Sequence, residues 1–287
     1  MRWNLVFVAA TSLLALLSSV NGQGAPDPVS DDGLWTALAV MPEGPQKAEP
    51  WIRPDRFQAV KADMDTLRAF LRQAPMEGSV EAAVPLLMSL PMADGGFAWF
   101  HVVESPVMAP QLAAKFPEVK TYLGQGVDDP AATVRFDDTP QGFHCQLLSP
   151  HGNQYIDPYS RGDSTFYACY FVGDLTRFMD WECHTPSGNG GPAENPYAAR
   201  TTGSTLRTFS IAIAATGGYT SFHGGSVALG QAAIVTAVNR INQIFENEFA
   251  VRLVLVANNS NLVYTNAATD PYTDGNLPVM IDQNQAN

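Results

Sequence analysis

The sequence predicts an α+β protein: a β-rich antiparallel unit followed by a parallel strand–helix–strand. Three observations carry this. Short apolar runs separated by turn residues recur from Val84 to Val172, the pattern of an antiparallel sheet or sandwich. A Gly/Pro-rich stretch with few apolar residues, Asp180 to Ser204, then interrupts the chain. Beyond it two strand-like runs, Thr208–Ala214 and Val251–Ala257, flank a long amphipathic segment, Ser226–Glu246.

The bulk composition sets the frame. A chain of 287 residues suggests one or two domains, and 46% hydrophobic residues can build a real core. That content excludes a disordered chain. With 15% charged residues, 23 Gly and 21 Pro, it suits a loop-rich, β-rich exported protein. The net charge of −12 repels phosphate backbones, which excludes nucleic acid and disfavours anionic lipid as partners. Arg2 followed by the apolar run Leu5–Val20 and the small residues near Gly22 reads as a secretory signal peptide over 1–22, with Gln23 opening the mature chain. The run is short for a membrane span and is broken by Thr11, Ser12, Ser18 and Ser19. The expectation is therefore a secreted, extracellular protein with no stable membrane span.

The elements follow in order. Gly24–Pro54 reads as a tether with one short strand in Leu34–Met41, and Arg56–Val60 as another strand. Met64–Gln73 reads as a helix, because Leu67, Phe70 and Leu71 fall on one face, Asp63 can cap it and Pro75 stops it. Val84–Leu90 and Phe97–Val103 flank Asp94-Gly95, a hairpin signal. Ala109–Lys115 is a short helix with Pro110 in its first turn. Val119–Tyr122, Thr133–Phe136, Phe143–Leu148, Gln154–Ile156 and Thr165–Val172 are further strands. The segment 181–204 cannot bury enough surface to order itself, so it reads as an exposed, protease-sensitive linker. It divides a β-rich unit, 23–180, from a second unit, 205–287.

In that second unit Phe209, Ile211 and Ile213 share one face of a strand. Val227, Ile234, Val238, Ile241 and Phe245 trace the buried stripe of the helix, with Thr236, Arg240, Gln243 and Asn247 on the opposite face. Val251–Ala257 has the near-continuous apolar run of a strand buried on both faces. Strand, helix and strand imply a parallel pair joined by a right-handed crossover.

Chemistry-bearing residues are sparse. The five histidines are His101, His144, His151, His184 and His223, and no two are four apart. Three cysteines leave at least one unpaired thiol in a monomer. Cys145 and Cys169 each sit in an expected strand. Adjacent strands would bring them within disulfide range, and two buried free thiols are the equal alternative. His223 reads as a structural hydrogen-bonding residue, Arg161-Gly162-Asp163 as an ordinary turn, and the sequon at Asn258 as incidental.

Two long stretches carry a resemblance. Residues from about 86 to 163, LLMSLPMADGGFAWFHVVESPVMAPQLAAKFPEVKTYLGQG through YIDPYSRGD, resemble the pro-region of bacterial secreted reprolysin-like (metzincin) zinc metalloproteases. Residues from about 207 to 287, RTFSIAIAATGGYTSFHGG through YTNAATDPYTDGN, resemble the start of their protease domain. The resemblance implies that 23–180 is a pro-domain that packs on its own catalytic domain. It implies that 205–287 is the N-terminal part of a metzincin-like domain, a twisted, mostly parallel sheet with helices behind it. In that family three histidines of H-E-x-x-H-x-x-G-x-x-H hold zinc, and the glutamate is general base to the metal-bound water that hydrolyses protein or peptide substrates. The motif does not occur through Asn287. The expectation is therefore a precursor fragment truncated before its zinc motif: zinc belongs to the full-length enzyme, this chain carries no ligand or catalytic residue that can be named, and the fragment is inactive. Cys183, in Trp181-Glu182-Cys183-His184, is a candidate inhibitory zinc-directed thiol. The rival expectation is a secreted, non-catalytic binding or adhesion protein with a degenerate protease-like domain.

Overall fold

A computed structural model describes residues 28–42, 51–175 and 205–286. The expected signal peptide, the linker 181–204 and Cys183 lie outside the described residues. In the first unit the strands are β1 (Trp35–Leu38), β2 (Gln58–Ala62), β3 (Leu86–Pro91), β4 (Phe97–Glu104), β5 (Lys120–Gly126), β6 (Thr133–Thr139), β7 (Gly142–Leu148), β8 (Gln154–Pro158) and β9 (Phe166–Phe171), with helices α1 (Met64–Leu71) and α2 (Pro110–Ala113). They form one sheet in the order β1-β2-β9-β8-β7-β6-β5-β4-β3. Every pairing in it is antiparallel.

From β3 to β9 the sheet is a meander, and β2 and β1 add on beyond β9. The sheet curls until its two ends approach: Asp32, in the turn before β1, accepts the Ser89 N–H of β3 at 2.7 Å. Curling shields the edges that a flat sheet would expose. Inside lie Trp35, Phe100, Phe136, Phe143 and Tyr167 with Met88 and Leu90. Trp35 meets Phe143 and Tyr167 edge-on, with centroids 5.2 and 5.6 Å away, the arrangement aromatic quadrupoles favour. Helix α1 adds Met64, Leu67 and Leu71 to the same core. Asp63 caps it, accepting the Thr66 N–H at 2.8 Å. The β3–β4 hairpin turns where expected, with Gly95 and Gly96 at φ of 104° and 76°, angles that disfavour a side chain.

The ladder decides between the two alternatives for the cysteines. In the ladder Cys145 stands opposite Ile156, and Ile156 opposite Cys169. Strand β8 therefore separates them by two interstrand steps, roughly 10 Å, beyond the reach of a disulfide. Both are free and buried, and burial pushes both thiols above their usual range.

The second unit comprises β10 (Arg207–Ile211), α3 (Gly217–Phe222), α4 (Val227–Phe249), β11 (Val251–Leu255) and α5 (Leu277–Ala286). Strands β10 and β11 are parallel, Arg207 opposite Val251 through Ile211 opposite Leu255. Ser226 caps α4, accepting the Leu229 N–H at 3.2 Å, and Ala250 ends it in the left-handed conformation.

The burial of α4 departs from the expected stripe. Ile234 and Val238 are buried, Val227 and Phe245 only half-buried, and Ile241 is 38% exposed. Gln243, expected on the outer face, is buried, as are Asn239 and Asn242. The physical reason is a second neighbour. One side of α4 packs on β11, where Asn242 donates to the Leu253 carbonyl at 2.8 Å and accepts the Leu253 N–H at 2.7 Å. The other side packs on β6. Strand β11 likewise is only half-buried before Leu255, and β10 leaves Phe209 52% exposed. Strand β11 is thus not the doubly covered strand that its apolar run suggests.

The second core is shared. It joins Ala215, Ala232, Ile234, Val235, Val238, Leu255 and Val263 to Val107, Met108, Leu112, Phe116 and Val119, which lie between β4 and β5 of the first unit. The backbone confirms the join: Leu255 donates its N–H to the Val107 carbonyl and accepts the Ala109 N–H, each at 2.8 Å. Residues 107–109 thus make one isolated parallel bridge, Met108 to Leu255, on the outer edge of β11.

Candidate functional site

Among the described residues, a dense constellation of charged and polar side chains lies where α4 and β11 meet β6. Arg135, at the centre of β6, is buried to 1% exposure. It donates two hydrogen bonds to Glu246 of α4 at 2.6 and 2.8 Å, and one to Asn239 at 3.1 Å. Glu246 also accepts from Arg252 of β11 at 2.6 Å. Arg252 forks onto both oxygens of Glu77 at 2.7 and 2.9 Å, and Glu77 accepts the Ser105 hydroxyl at 2.6 Å. Two cations and two anions alternate, so the cluster is neutral as a whole.

Electrostatics follow from that order. Burial would raise the Glu77 carboxyl, but the hydrogen bonds from Arg252 and Ser105 outweigh it and hold it below the usual range. Burial pulls the Arg135 guanidinium down, against the pull of Glu246. Such a buried network is costly to break one member at a time, because each loss strands an uncompensated charge.

The outer face expected for α4 supplies the rest of the contact. Thr236 donates to Asp137 at 2.8 Å, and Asp137 also faces the His144 ring nitrogen at 3.2 Å. Arg240 pairs with Asp157 and lies 4.7 Å from the centre of the Tyr155 ring. Gln243 donates to the Thr133 carbonyl at 2.8 Å, and Asn247 to the Thr133 hydroxyl at 3.3 Å. At the α3 end Arg161 lies over Phe222 at 4.0 Å and Trp51 at 4.8 Å, and donates to the Phe222 carbonyl. Its guanidinium is therefore engaged, as the ordinary-turn reading of Arg161-Gly162-Asp163 expects.

His223 sits beside this stack. Its carbonyl accepts from Gln141, in the β6–β7 turn, at 2.9 Å. Its ring packs among Tyr219, Phe222 and Trp51, and its buried Nδ1 has no hydrogen-bond partner. Burial, reinforced by the positive fields of Arg161 and His144, pulls the imidazole down to about 4. It is neutral at neutral pH.

Arg135, Glu246, Arg252 and Glu77 were not singled out in the sequence. A signal was there. Arg252 stands between Val251 and Leu253 as the one charge of an apolar strand, and Arg135 stands between Val134 and Phe136 in a strand that also carries Asp137 and Asp138. In a chain with so few charges, a lone charge at such a position needs a buried partner.

Elsewhere a cavity of about 190 Å³ opens at one end of the curled sheet, lined by Met92, Trp99, Phe171, Asp94 and Asp129 among others. It is smaller than typical small-molecule sites. Zinc does not fit the residues present: among the described residues no three of His, Cys, Asp and Glu stand together to hold an ion. No helix among the described residues is long and apolar enough to cross a membrane.

Comparison with known proteins places one family on the second unit. Residues 205–282 match the family described as Metallo-peptidase family M12B Reprolysin-like, which supports a reprolysin-like metallopeptidase domain there. No curated protein matches the chain. A solved structure titled "Structure of a chaperone-substrate complex" aligns with 47% of this chain and 97% of its own, at 12% identity and a TM-score of 0.31. A likeness that slight carries no argument.

Proposed function

We propose that residues 205–286 are the N-terminal part of the protease domain of a secreted zinc metalloendopeptidase, and that residues 23–180 are its pro-region. The observation that carries this is the reprolysin-like match over 205–282, which coincides with the β10–α4–β11 unit. The pairing of residues 107–109 with β11 supports a pro-region that packs on its own protease domain. In this reading zinc activates a water for attack on the peptide bond, and protein or peptide segments are the substrates. Residues 1–22 direct export, and Cys183 is the zinc-directed thiol that restrains the enzyme. In this reading chain 23–287, which carries no H-E-x-x-H-x-x-G-x-x-H, neither holds zinc tightly nor cleaves peptides.

The test is to express the gene's whole reading frame and assay casein hydrolysis with and without a chelator. Zinc-dependent cleavage that rises on Cys183→Ala is expected. Cleavage indifferent to the chelator, or none from the whole frame, would sink the reading.

A further inference from the structure

We propose that residues 28–175 and 205–286 form a separable host and guest: residues 105–119 and 133–137 of the first unit are a docking surface for the α4–β11 unit, tight at neutral pH and loosened by acid. This does not depend on the second unit's being a peptidase.

The asymmetry of the two cores carries the first half. Every residue of the larger core comes from between Leu34 and Cys169, so the host is complete by itself. The guest is not. Without Val107, Met108, Leu112, Phe116 and Val119 its inner residues Ile234, Val238 and Leu255 lose their cover, and the outer edge of β11 loses both backbone hydrogen bonds. The guest therefore stays on the host after the covalent link between them is cut. The rest of the contact is polar, as in interfaces that come apart. Thr133, Arg135, Asp137 and Asp157 on the host meet Gln243, Glu246, Thr236 and Arg240 on the guest.

The seam around His223 carries the second half. From its own helix Tyr219 and Phe222 face it; from the host Trp51 and Gln141 do, with Arg161 and His144 as the charged or titratable groups acting on it. Among the described residues no carboxylate acts on it there. Arg161 already occupies the aromatic faces of Trp51 and Phe222. A proton on His223 would set a second cation beside the first, in a half-buried site. The sign follows. The docked imidazole holds its proton only below about 4, whereas a released one takes it near 6.5. Docking is strongest above 6.5 and weakens as the pH falls toward 4. Further down, protonating Glu77 removes its bonds to Arg252.

The experiment uses the full chain with a specific protease site installed in 181–204, folded and then cut. The pieces are run on a sizing column at pH 7.5 and at pH 5.5, the latter kept above the isoelectric point of about 4.7. They should co-elute at pH 7.5 and bind on the order of tenfold more weakly at pH 5.5. His223→Phe and His223→Gln, each checked for native near-ultraviolet dichroism, should co-elute at pH 7.5 and lose most of that difference. Separation of the wild-type pieces at pH 7.5 overturns the docking. Equal affinity at both pH values, or a pH dependence unchanged in both variants, overturns the role of His223.

Discussion

The two cores are built on opposite principles. The first is closed by topology: nine strands curl round their own aromatic residues, and every wall comes from one continuous stretch of chain. The second is closed by borrowing. Its helix and two strands cover one side, and residues 107–119, nearly a hundred positions earlier, cover the other. A linker-rich boundary in sequence therefore separates the chain without separating the packing. Composition marks where the backbone is free, not where a core ends.

The comparison can be broken most severely from the host side. Trp35 is fully buried at the centre of the aromatic core. Trp35→Ala should cost about 3–5 kcal/mol, and the guest should lose structure with the host. In urea, signals from both units should shift together. If β11 amides keep full protection from hydrogen exchange while β7 amides lose theirs, the dependence of the second core on the first is wrong.

Leu112→Ala sharpens the same point in the other direction. Leu112 belongs by sequence to the first unit, yet its side chain is fully buried in the second core. Its truncation should cost about 2–4 kcal/mol, felt in β11 and α4. Exchange of amides in β7 and β9 should hardly change. A loss of protection confined to the first unit would mean that α2 packs inward rather than across the seam.

The sequence shows the two units unequally for the same reason. Strands of the first unit are bounded by turns with a definite chemistry, such as Asp94-Gly95-Gly96, so their number and order are legible, although β6 to β9 are buried on both faces rather than in alternation. Asp63 and Ser226 announce their helices because a cap is a local event. The outer face of α4 misleads because amphipathicity reports polarity, not exposure. Thr236, Arg240, Gln243 and Asn247 are polar, and all four bond to the host. Cys145 and Cys169 stay ambiguous in the sequence because the strand expected at Gln154–Ile156 need not lie between theirs in the sheet, as β8 does. The charge cluster around Arg135 is assembled from four separate segments, and only Arg252, the one charge of an apolar strand, hints at it.

The smallest expected effect tests the seam at one hydrogen bond. Ala109 has φ of −57° and ψ of 148°, angles that proline adopts without strain, and the following Pro110 already restricts it to this region. Ala109→Pro removes the N–H that reaches the Leu255 carbonyl and sets the ring Cδ against that oxygen. The buried carbonyl is left without a donor, which costs about 1–3 kcal/mol, and a proline whose N–H was bonded gains no net stability from a stiffer unfolded chain. Global stability should fall by about that amount. The neighbouring bond, from the Leu255 N–H to the Val107 carbonyl, should also open more often, because the strand contact that supported it is halved. Exchange at the Leu255 amide should speed up several-fold, with β5 and β7 unchanged. If Leu255 exchanges at the wild-type rate, residues 107–109 do not pair with β11 in solution, and the borrowed wall of the second core rests on side chains alone.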